Sequence, residues 1–276
     1  RRLSSSEIKE YEPHCGGIAG LLVLQTGIVD YSAMTSRLAE RIANLGGQIL
    51  TNQKVTEISS STNSTILSTS TLEFSAKSVV TCGGLFSDRL AMLTEPNLDL
   101  RIVPFRGEYF ELKKSAAHLV RNLIYPVPDP DFPFLGVHFT RRIDGSIECG
   151  PNAVFTFKRE GYGKTDFSLR DTWDALTYKG TWKLFFKNMR FGINEYRRAF
   201  SKKLFLKTLQ RMIPSLTMDD LKPGRSGVRA LLLRDDGDTK DDFRIEYHGN
   251  SIHVLNAPSP AATASLAIQI QNFNQI

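Results

Sequence analysis

Three charged or titratable residues stand among apolar neighbours, and their side chains are of the types that bind or deprotonate an anionic substrate. Arg106 lies in PFRGEY, His138 in LGVHFT and Arg229 in GVRAL. Arginine presents a planar fork that matches a carboxylate with two hydrogen bonds. Histidine titrates near pH ~6.5 and can take the proton of an alcohol, although these residues alone favour a structural histidine in the core at His138. An unpaired charge in an apolar strand is costly, so Arg229 requires a partner or an anionic ligand.

A second motif, VTCGG at residues 80–84, suits a nucleotide. An apolar strand runs into paired glycines, which allow the backbone to approach a ligand closely. The carboxyl end of a strand in an α/β sheet is a favoured nucleotide site. Many α/β turns have this pattern, and the sequence contains no GxGxxG pyrophosphate loop.

The third motif, NAPSPAA at residues 256–262, joins a predicted strand to a predicted helix. Small residues and two prolines fix the backbone there and leave it bare. Amide groups at a helix start carry partial positive charge and can face an anion or the electron-rich O2 of a flavin. A rigid helix N-terminus without a ligand is the alternative.

The composition is that of an ordinary soluble globular protein, with 276 residues, 41% hydrophobic and 23% charged residues. This length allows one large domain or two intertwined ones. The net charge is +6, but the densest cation groups are only pairs, so we interpret them as solvated surface and expect no nucleic-acid partner. The three cysteines lack ligand spacing, which argues against a metal site. Because the chain begins with Arg1, we expect it to start inside a longer protein that carries any localisation signal.

These motifs need particular elements to position them. Asp30 is predicted to cap a helix over residues 31–45. Together with predicted strands at 48–51, 54–59, 65–67 and 77–81 and a helix at 86–93, this is an α/β pattern with a parallel sheet. Short aromatic strands predict an antiparallel sheet at 101–113, 119–127, 136–139 and 145–150. Residues 166–213 are predicted to be helical, followed by strands at 227–233, 243–248 and 252–256 and a helix from Ala261.

The order of motifs resembles L-2-hydroxyglutarate dehydrogenases, which belong to the D-amino-acid-oxidase-like flavoenzymes. The resemblance covers residues 10–268, and its most specific blocks are YPVPDPDFPFLGVHFT at 125–140 and NAPSPAATASLAI at 256–268. It implies an α/β (α+β) fold with a Rossmann-like FAD-binding domain, whose first βαβ unit is missing, and an antiparallel-sheet substrate domain. The implied division is residues 1–95 for the partial FAD-binding domain with interleaved substrate-domain segments, 96–225 for the substrate domain and 226–276 for the return to the FAD-binding domain.

The resemblance also implies FAD as cofactor and the oxidation of L-2-hydroxyglutarate, a 2-hydroxy dicarboxylate, to 2-oxoglutarate. It implies that Arg229 binds a substrate carboxylate and that His138 is the base. Arg106 is then expected to hold the second carboxylate or to lie by the flavin. Tyr125 and Asn152 are implied pocket residues. The implied cofactor-binding residues are Val55, Thr81, Cys82, Gly83, Gly84, Asn256, Ala257, Pro258, Ser259, Pro260 and Ala261.

Two alternatives remain open at this point. One is another enzyme of the same superfamily, resembling glycine oxidase or glycerol-3-phosphate dehydrogenase. The other is an inactive fragment that only binds a partner through its aromatic sheet. The resemblance implies a mitochondrial location, while the electron acceptor and a peripheral contact with a membrane stay undetermined.

Overall fold

The computed structural model describes residues 1–61, 64–127, 136–239, 242–258 and 261–273, with side chains in the last stretch described up to Ile268. The fold mixes helices with both parallel and antiparallel strands, which confirms the predicted α/β (α+β) class. Within the described residues, no helix is both long and apolar enough to cross a bilayer.

The first part of the chain alternates short strands and helices. Asp30 accepts hydrogen bonds from the amides of Ser32 and Ala33 at 2.9 and 3.0 Å, so the predicted helix cap is confirmed. The elements in order are β1 (Arg2–Ser4), α1 (Ser5–Tyr11), β2 (Ala19–Leu21), α2 (Tyr31–Asn44), β3 (Val55–Ser60), β4 (Thr65–Thr69), β5 (Glu73–Ala76), β6 (Val79–Thr81), a 3₁₀ turn (Gly84–Phe86) and α3 (Ser87–Ala91).

The middle of the chain builds the largest sheet. Its strands are β7 (Leu100–Leu112), β8 (His138–Arg141), β9 (Ile147–Gly150), β10 (Val154–Phe155) and β11 (Leu221–Arg234). β7 is the central strand, with β11, β10 and β9 antiparallel to it and β8 beyond β9. Between β10 and β11 lie α4 (Leu169–Thr177), α5 (Lys179–Lys187), α6 (Met189–Phe200) and α7 (Lys202–Leu209).

The chain then returns to a small sheet through β12 (Arg244–His248) and β13 (Ser251–Asn256) and enters α8 (Ala261–Phe273). β13 pairs with β6 in parallel, so the carboxyl ends of these strands meet at one edge. A separate sheet of order β3-β4-β5 lies beside it. β11 crosses the boundary predicted between residues 225 and 226, and the three-part division into domains stays a prediction.

Apolar side chains pack on both faces of the central sheet. One cluster sits under β8, β9 and the end of β7 and includes Phe139, Ile147 and Cys149, none of which has exposed surface. Another packs α4 and α5 against the start of β7 and the end of β11 through Val103 and Leu233. The sheet is therefore held rigidly, and its polar side chains have fixed surroundings.

Two predicted strands are wrong. Residues 48–51 form no strand, and residues 119–127 contain only the single bridge of Ile124 to Phe139. In the second segment side chains take the place of strand partners. Glu12 accepts the amides of Arg121 and Asn122 at 2.9 and 2.5 Å, and Arg141 donates to the Val120 carbonyl at 2.6 Å. Since these backbone groups are already paired, no ladder forms.

Candidate functional site

One face of the central sheet brings together Arg229, Tyr109 and His138. Arg229 pairs with Phe105 across β11 and β7, and side chains alternate along a strand, so Tyr109 shares the face of Arg229. The Arg229 guanidinium donates a hydrogen bond to the Tyr109 hydroxyl. His138 pairs with Gly150 across β8 and β9, and a Cβ at Gly150 would lie 2.8 Å from the Tyr109 ring. The absence of a side chain at Gly150 leaves room for the Tyr109 ring between Arg229 and His138.

His138 is 9% exposed and is held in one tautomer. Its Nδ1 lies 2.9 Å from the carbonyl oxygen of Gly136, which can only accept, so Nδ1 carries the proton of the neutral ring. The Nε2 atom is then the nitrogen that can take a proton. Burial lowers the pKa of His138, the Gly136 carbonyl opposes this shift, and the positive charge of Arg229 lowers the pKa further. His138 is therefore neutral at pH 7 and suited to act as a base.

Tyr125 covers the imidazole from the open side. Its ring stacks on His138 with centroids 4.2 Å apart and an interplanar angle of 17°, and its hydroxyl lies 3.2 Å from that of Thr140. Tyr125 itself is 47% exposed, so the stacked pair forms a border between the sheet face and solvent. The structure thus brings together three predicted residues, His138, Tyr125 and Arg229.

Arg229 lies in a partly buried position, where desolvation lowers its pKa and the Tyr109 hydroxyl opposes that shift. Burial in turn raises the pKa of Tyr109, so its phenol stays protonated near neutral pH. The neutral Tyr109 hydroxyl orients the Arg229 guanidinium and does not neutralise it. Such a cation, beside a neutral histidine, is an attractive site for a carboxylate.

Arg106 lies on the opposite face of the sheet from Arg229, because it alternates with Phe105 on β7. It is 4% exposed, and it donates to Glu108 at 2.9 Å and to the Gly163 carbonyl at 2.5 Å. Lys164 adds a second cation 2.9 Å from Glu108. Arg106 is therefore part of an internal ion-pair group and is not brought to the cluster of Arg229 and His138.

Asn152 lies beside that group on the loop that leads into β10. Its side-chain oxygen accepts the Glu108 amide at 2.7 Å. Among the described residues, neither the Nδ2 of Asn152 nor the Nε of Arg106 has a hydrogen-bond partner, although both atoms are buried. Buried donors are normally paired, so these two are places where an acceptor atom of a ligand or of water would be bound.

A second candidate site lies at the edge where β6 and β13 end. A cavity of about 210 Å³ opens there and is lined by the predicted cofactor residues Val55, Thr81, Cys82 and Gly83. The remaining lining is apolar and consists of Ile58, Leu67, Val79, Val80 and Leu90. Gly84 has φ +54 with open space beside it, so it exposes its backbone in a conformation that favours glycine. An apolar cavity beside a bare glycine turn at the end of parallel strands fits a nucleotide cofactor.

Thr81 has a structural role in addition to lining this cavity. Its hydroxyl lies 2.9 Å from Nδ1 of His253, whose Nε2 lies 2.8 Å from the Thr94 hydroxyl. His253 is 1% exposed, and burial lowers its pKa. This buried chain of hydrogen bonds fixes β6, β13 and the end of α3 relative to one another.

The predicted cofactor loop after β13 is described only in part. Asn256 is buried and donates to the Asp242 carbonyl at 2.9 Å. Ala257, which follows Asn256, is exposed, and the Ala261 amide donates to the Pro258 carbonyl at 2.9 Å at the start of α8. Ser259 and Pro260 lie outside the described residues. Asn256 ends β13 three residues beyond His253, which pairs with Thr81 at the end of β6, and its role in cofactor binding stays a prediction.

The sequence did not indicate the ion pair that ties the glycine turn at Gly83 and Gly84 to the segment after β10. Asp88 and Arg159 form a buried ion pair with 0% and 2% of their side chains exposed. Arg159 also donates to the Leu85 carbonyl at 2.6 Å, directly after Gly84. The guanidinium groups of Arg89 and Arg159 lie 5.8 and 5.9 Å from the centroid of the Phe86 ring. Tyr109 was missed too, since nothing in RGEYF shows which residue faces Arg229.

The comparisons with known proteins agree with this geometry. The sequence profile of the family described as FAD dependent oxidoreductase (DAO) matches residues 1–268. The chain belongs to this family. The predicted resemblance is confirmed, and FAD is the cofactor of the family.

Curated relatives narrow the assignment within the family. The chain is 46% identical over 269 residues to the L-2-hydroxyglutarate dehydrogenase of Indibacter alkaliphilus, covering 97% of this chain and 67% of that protein. It is 46% identical to the mitochondrial L-2-hydroxyglutarate dehydrogenase of Nematostella vectensis, covering 95% and 61%, and 40% identical to the enzyme of Escherichia coli K12, covering 96% and 63%. The chain thus spans about two thirds of the length of these relatives.

Solved structures share the fold at low sequence identity. An L-alpha-glycerophosphate oxidase from Mycoplasma pneumoniae with FAD bound has a TM-score of 0.72 and 20% identity, covering 99% of this chain and 63% of that one. A glycine oxidase from Geobacillus kaustophilus has a TM-score of 0.59 and 16% identity, covering 98% and 62%. These likenesses support the fold and leave the substrate to be argued from the site.

Proposed function

We propose that the protein containing this chain oxidises L-2-hydroxyglutarate to 2-oxoglutarate with FAD. The observation that carries the proposal is the partly buried Arg229 beside neutral His138 on one sheet face, with Tyr109 between them. A 2-hydroxy acid presents a carboxylate next to an alcohol, which is what a cation next to a base accommodates. The relatives are named L-2-hydroxyglutarate dehydrogenases, and this name is the reason for proposing a dicarboxylate as the substrate.

In this proposal FAD is held at the edge formed by β6 and β13. Val55, Thr81, Cys82 and Gly83 line the cavity there, and the backbone at Gly84 is free to approach the cofactor. Asn256 and the loop that follows it provide the second side of the site. When bound, FAD supplies the acceptor for the hydride that leaves C2 of the substrate.

Arg229 binds the carboxylate that adjoins the alcohol. Tyr109 holds the guanidinium through its hydroxyl, so the planar fork has a defined direction before substrate arrives. Tyr125 closes the face by stacking on His138. Arg106 and Asn152 each have a buried donor without a partner among the described residues, and we propose that these donors bind an acceptor atom of the cofactor. Arg106 lies on the sheet face opposite Arg229, so we assign it no role at the second carboxylate.

His138 takes the proton of the substrate hydroxyl at Nε2. The Gly136 carbonyl holds Nδ1–H and then stabilises the imidazolium that forms, because it accepts from the charged ring as well. The nearby positive charge of Arg229 is partly neutralised by the bound carboxylate. Substrate binding should therefore raise the pKa of His138 towards its ordinary value and make it a better base.

The names of the relatives bear on the cellular location of the protein. The Nematostella and Bos taurus relatives are named mitochondrial, and the bacterial ones are not. A mitochondrial location applies if the protein comes from a eukaryote.

The test is the kinetics of Arg229→Ala in the full-length protein with bound flavin. Loss of a charge-assisted pair of roughly 2–4 kcal/mol predicts a KM for L-2-hydroxyglutarate raised by about 30-fold to 1,000-fold. Arg225→Ala, an exposed arginine on the same strand, is the matched control and should leave KM unchanged. Flavin that is reduced by glycine or glycerol 3-phosphate but not by L-2-hydroxyglutarate would refute the substrate while retaining the family. A protein without visible flavin absorbance after expression with riboflavin would refute the cofactor site.

A further inference from the structure

Glu12 is a buried carboxylate that the proposed reaction does not use. It follows α1 directly and is 6% exposed. One of its oxygens accepts the Arg121 amide at 2.9 Å, and the other accepts the backbone and side-chain amides of Asn122 at 2.5 and 2.9 Å. Hydrogen bonds to an ionised acceptor are stronger than those between neutral groups. Glu12 therefore fixes a stretch of backbone that begins 109 residues further along the chain.

Arg141 of β8 fixes the same stretch from a second side. Its guanidinium donates to the Val120 carbonyl at 2.6 Å and to the Arg121 carbonyl at 2.8 Å. The amide and the carbonyl of Arg121 are therefore both paired with charged side chains, so the backbone is fixed at this point without belonging to a strand. We call residues 120–125 the Tyr125 segment.

The end of the Tyr125 segment meets β8 through one isolated antiparallel bridge. Ile124 and Phe139 exchange backbone hydrogen bonds of 3.0 and 2.9 Å. Tyr125 follows Ile124 and His138 precedes Phe139, so the antiparallel register makes Tyr125 and His138 direct neighbours. Phe139 is fully buried, and Ile124 packs against the same apolar cluster. Because side chains alternate along an extended chain, Tyr125 and His138 share the other face, where their ring centroids lie 4.2 Å apart.

The register of this contact depends on the Glu12 end of the segment. The bridge supplies only two backbone hydrogen bonds, and a slip by one residue would turn the Tyr125 ring away from the imidazole. The three hydrogen bonds of Glu12 end at Asn122, three residues before Tyr125. They oppose such a slip, because they fix which amides face the carboxylate.

We propose that Glu12 is a positioning residue, which keeps Tyr125 stacked on the base His138. The inference rests on the proposed oxidation for the role of His138. The hydrogen bonds of Glu12 go to Arg121 and Asn122, so it acts on the two rings through the backbone. With the Tyr125 ring in place, one face of the imidazole is covered and water is kept from it.

The experiment measures how fast diethyl pyrocarbonate modifies His138 in the full-length protein with bound flavin, by peptide mass spectrometry. This reagent attacks a neutral imidazole, and the exposed His248 is the internal reference. The variants are Glu12→Ala, Glu12→Gln, Tyr125→Ala and the double variant Glu12→Ala/Tyr125→Ala. Glu10→Ala, which removes an exposed glutamate of α1, is the matched control. The kcat for L-2-hydroxyglutarate is measured in parallel.

In Glu12→Ala we expect His138 to be modified about fivefold faster, because the Tyr125 segment opens locally. The kcat should fall about 10-fold to 100-fold, since a displaced group at the reacting centre has effects of this size. Tyr125→Ala should show the same changes, and the double variant should be no worse than either single variant, because both act on one stack. The control should match the wild type.

Glu12→Gln keeps one acceptor oxygen, so its effects should lie between those of the wild type and of Glu12→Ala. It takes the place of Glu12→Ala in the double variant if the alanine variant does not fold. Modification of His138 at the wild-type rate in the Glu12 variants would overturn the inference. Additive effects in the double variant would overturn it too, because Glu12 would then act independently of Tyr125, as an anchor for folding.

The modification assay uses no substrate, so its result is independent of the proposed oxidation. If the Glu12 variants expose His138 while His138→Ala keeps a normal kcat, the positioning of Tyr125 by Glu12 is supported and the role of His138 as the base is refuted. If His138→Ala is inactive while the Glu12 variants leave His138 covered, the positioning is refuted and the role of His138 is retained.

Discussion

Replacing Arg159 by methionine should reveal how strongly the glycine turn of the proposed cofactor site is tied to the rest of the molecule. Arg159 and Asp88 are 2% and 0% exposed, so neither charge is solvated. In Arg159→Met the Asp88 carboxylate keeps the amides of Ile102 and Arg89, at 2.9 and 2.8 Å, but loses its counter-charge. Removing one partner of a buried ion pair costs about 3–5 kcal/mol in unfolding free energy.

The size of the effect follows from burial and not from the hydrogen-bond count. If the loss were two neutral hydrogen bonds, it would be about 1–3 kcal/mol. The larger value applies because an uncompensated carboxylate remains in the interior. Asp88→Asn/Arg159→Met removes both charges, so it should be less destabilised than the sum of the single variants by at least about 1 kcal/mol.

The assay is urea unfolding followed by circular dichroism, with the flavin dissociation constant measured in parallel. Because Arg159 also holds the Leu85 carbonyl after Gly84, the single variant should bind flavin more weakly. Arg37→Met is the control, since the Arg37–Glu40 pair is largely exposed and should contribute almost nothing. A loss below about 1 kcal/mol in Arg159→Met, or additivity in the double variant, would refute the argument from a buried pair.

Two further predictions concern the largest sheet, which contains β7, β8 and β11. In Gly107→Val the new Cβ would lie 2.6 Å from the Pro151 Cβ, so we expect a loss of about 1–3 kcal/mol from overpacking, visible as a lower thermal midpoint; an unchanged midpoint would contradict this contact. Burial and the charge of Arg229 lower the pKa of His138 below its ordinary value, so kcat/KM should rise with pH through that lowered pKa and be level at neutral pH. Arg229→Gln should move this acidic limb to higher pH, and a limb that persists in His138→Ala would exclude His138 as the base.

Much of the scaffold could be predicted from local patterns. Asp30 precedes a helical apolar period and caps α2 as expected. The strands ending at Thr81 and Asn256 carry apolar runs followed by small residues, and they do end at one edge. These features depend on neighbouring residues in the sequence, which is why they were readable without the structure.

The composition of the site could not be predicted in the same way, because it depends on strand register. Arg106 and Arg229 look equivalent in the sequence, each a cation in an apolar strand. Only the pairing of Arg229 with Phe105 shows that the two arginines lie on opposite faces of the sheet. The same pairing places Arg229 on the face that carries Tyr109. The ties from Glu12 and Arg141 to residues 120–122 span too much of the chain to be seen in a local pattern.

The long pairing of β7 with β11 has a consequence for how sequence length can vary among relatives. Twelve registered pairs join these strands, from Leu100–Arg234 to Leu112–Leu221, with one irregularity between Pro223 and Ser226. A single inserted residue inside β7 would turn every later side chain to the other face and exchange the surroundings of Arg106 and Tyr109. Insertions and deletions in homologous chains should therefore be confined to the connections at the strand ends, and a length change within β7 should accompany loss of activity.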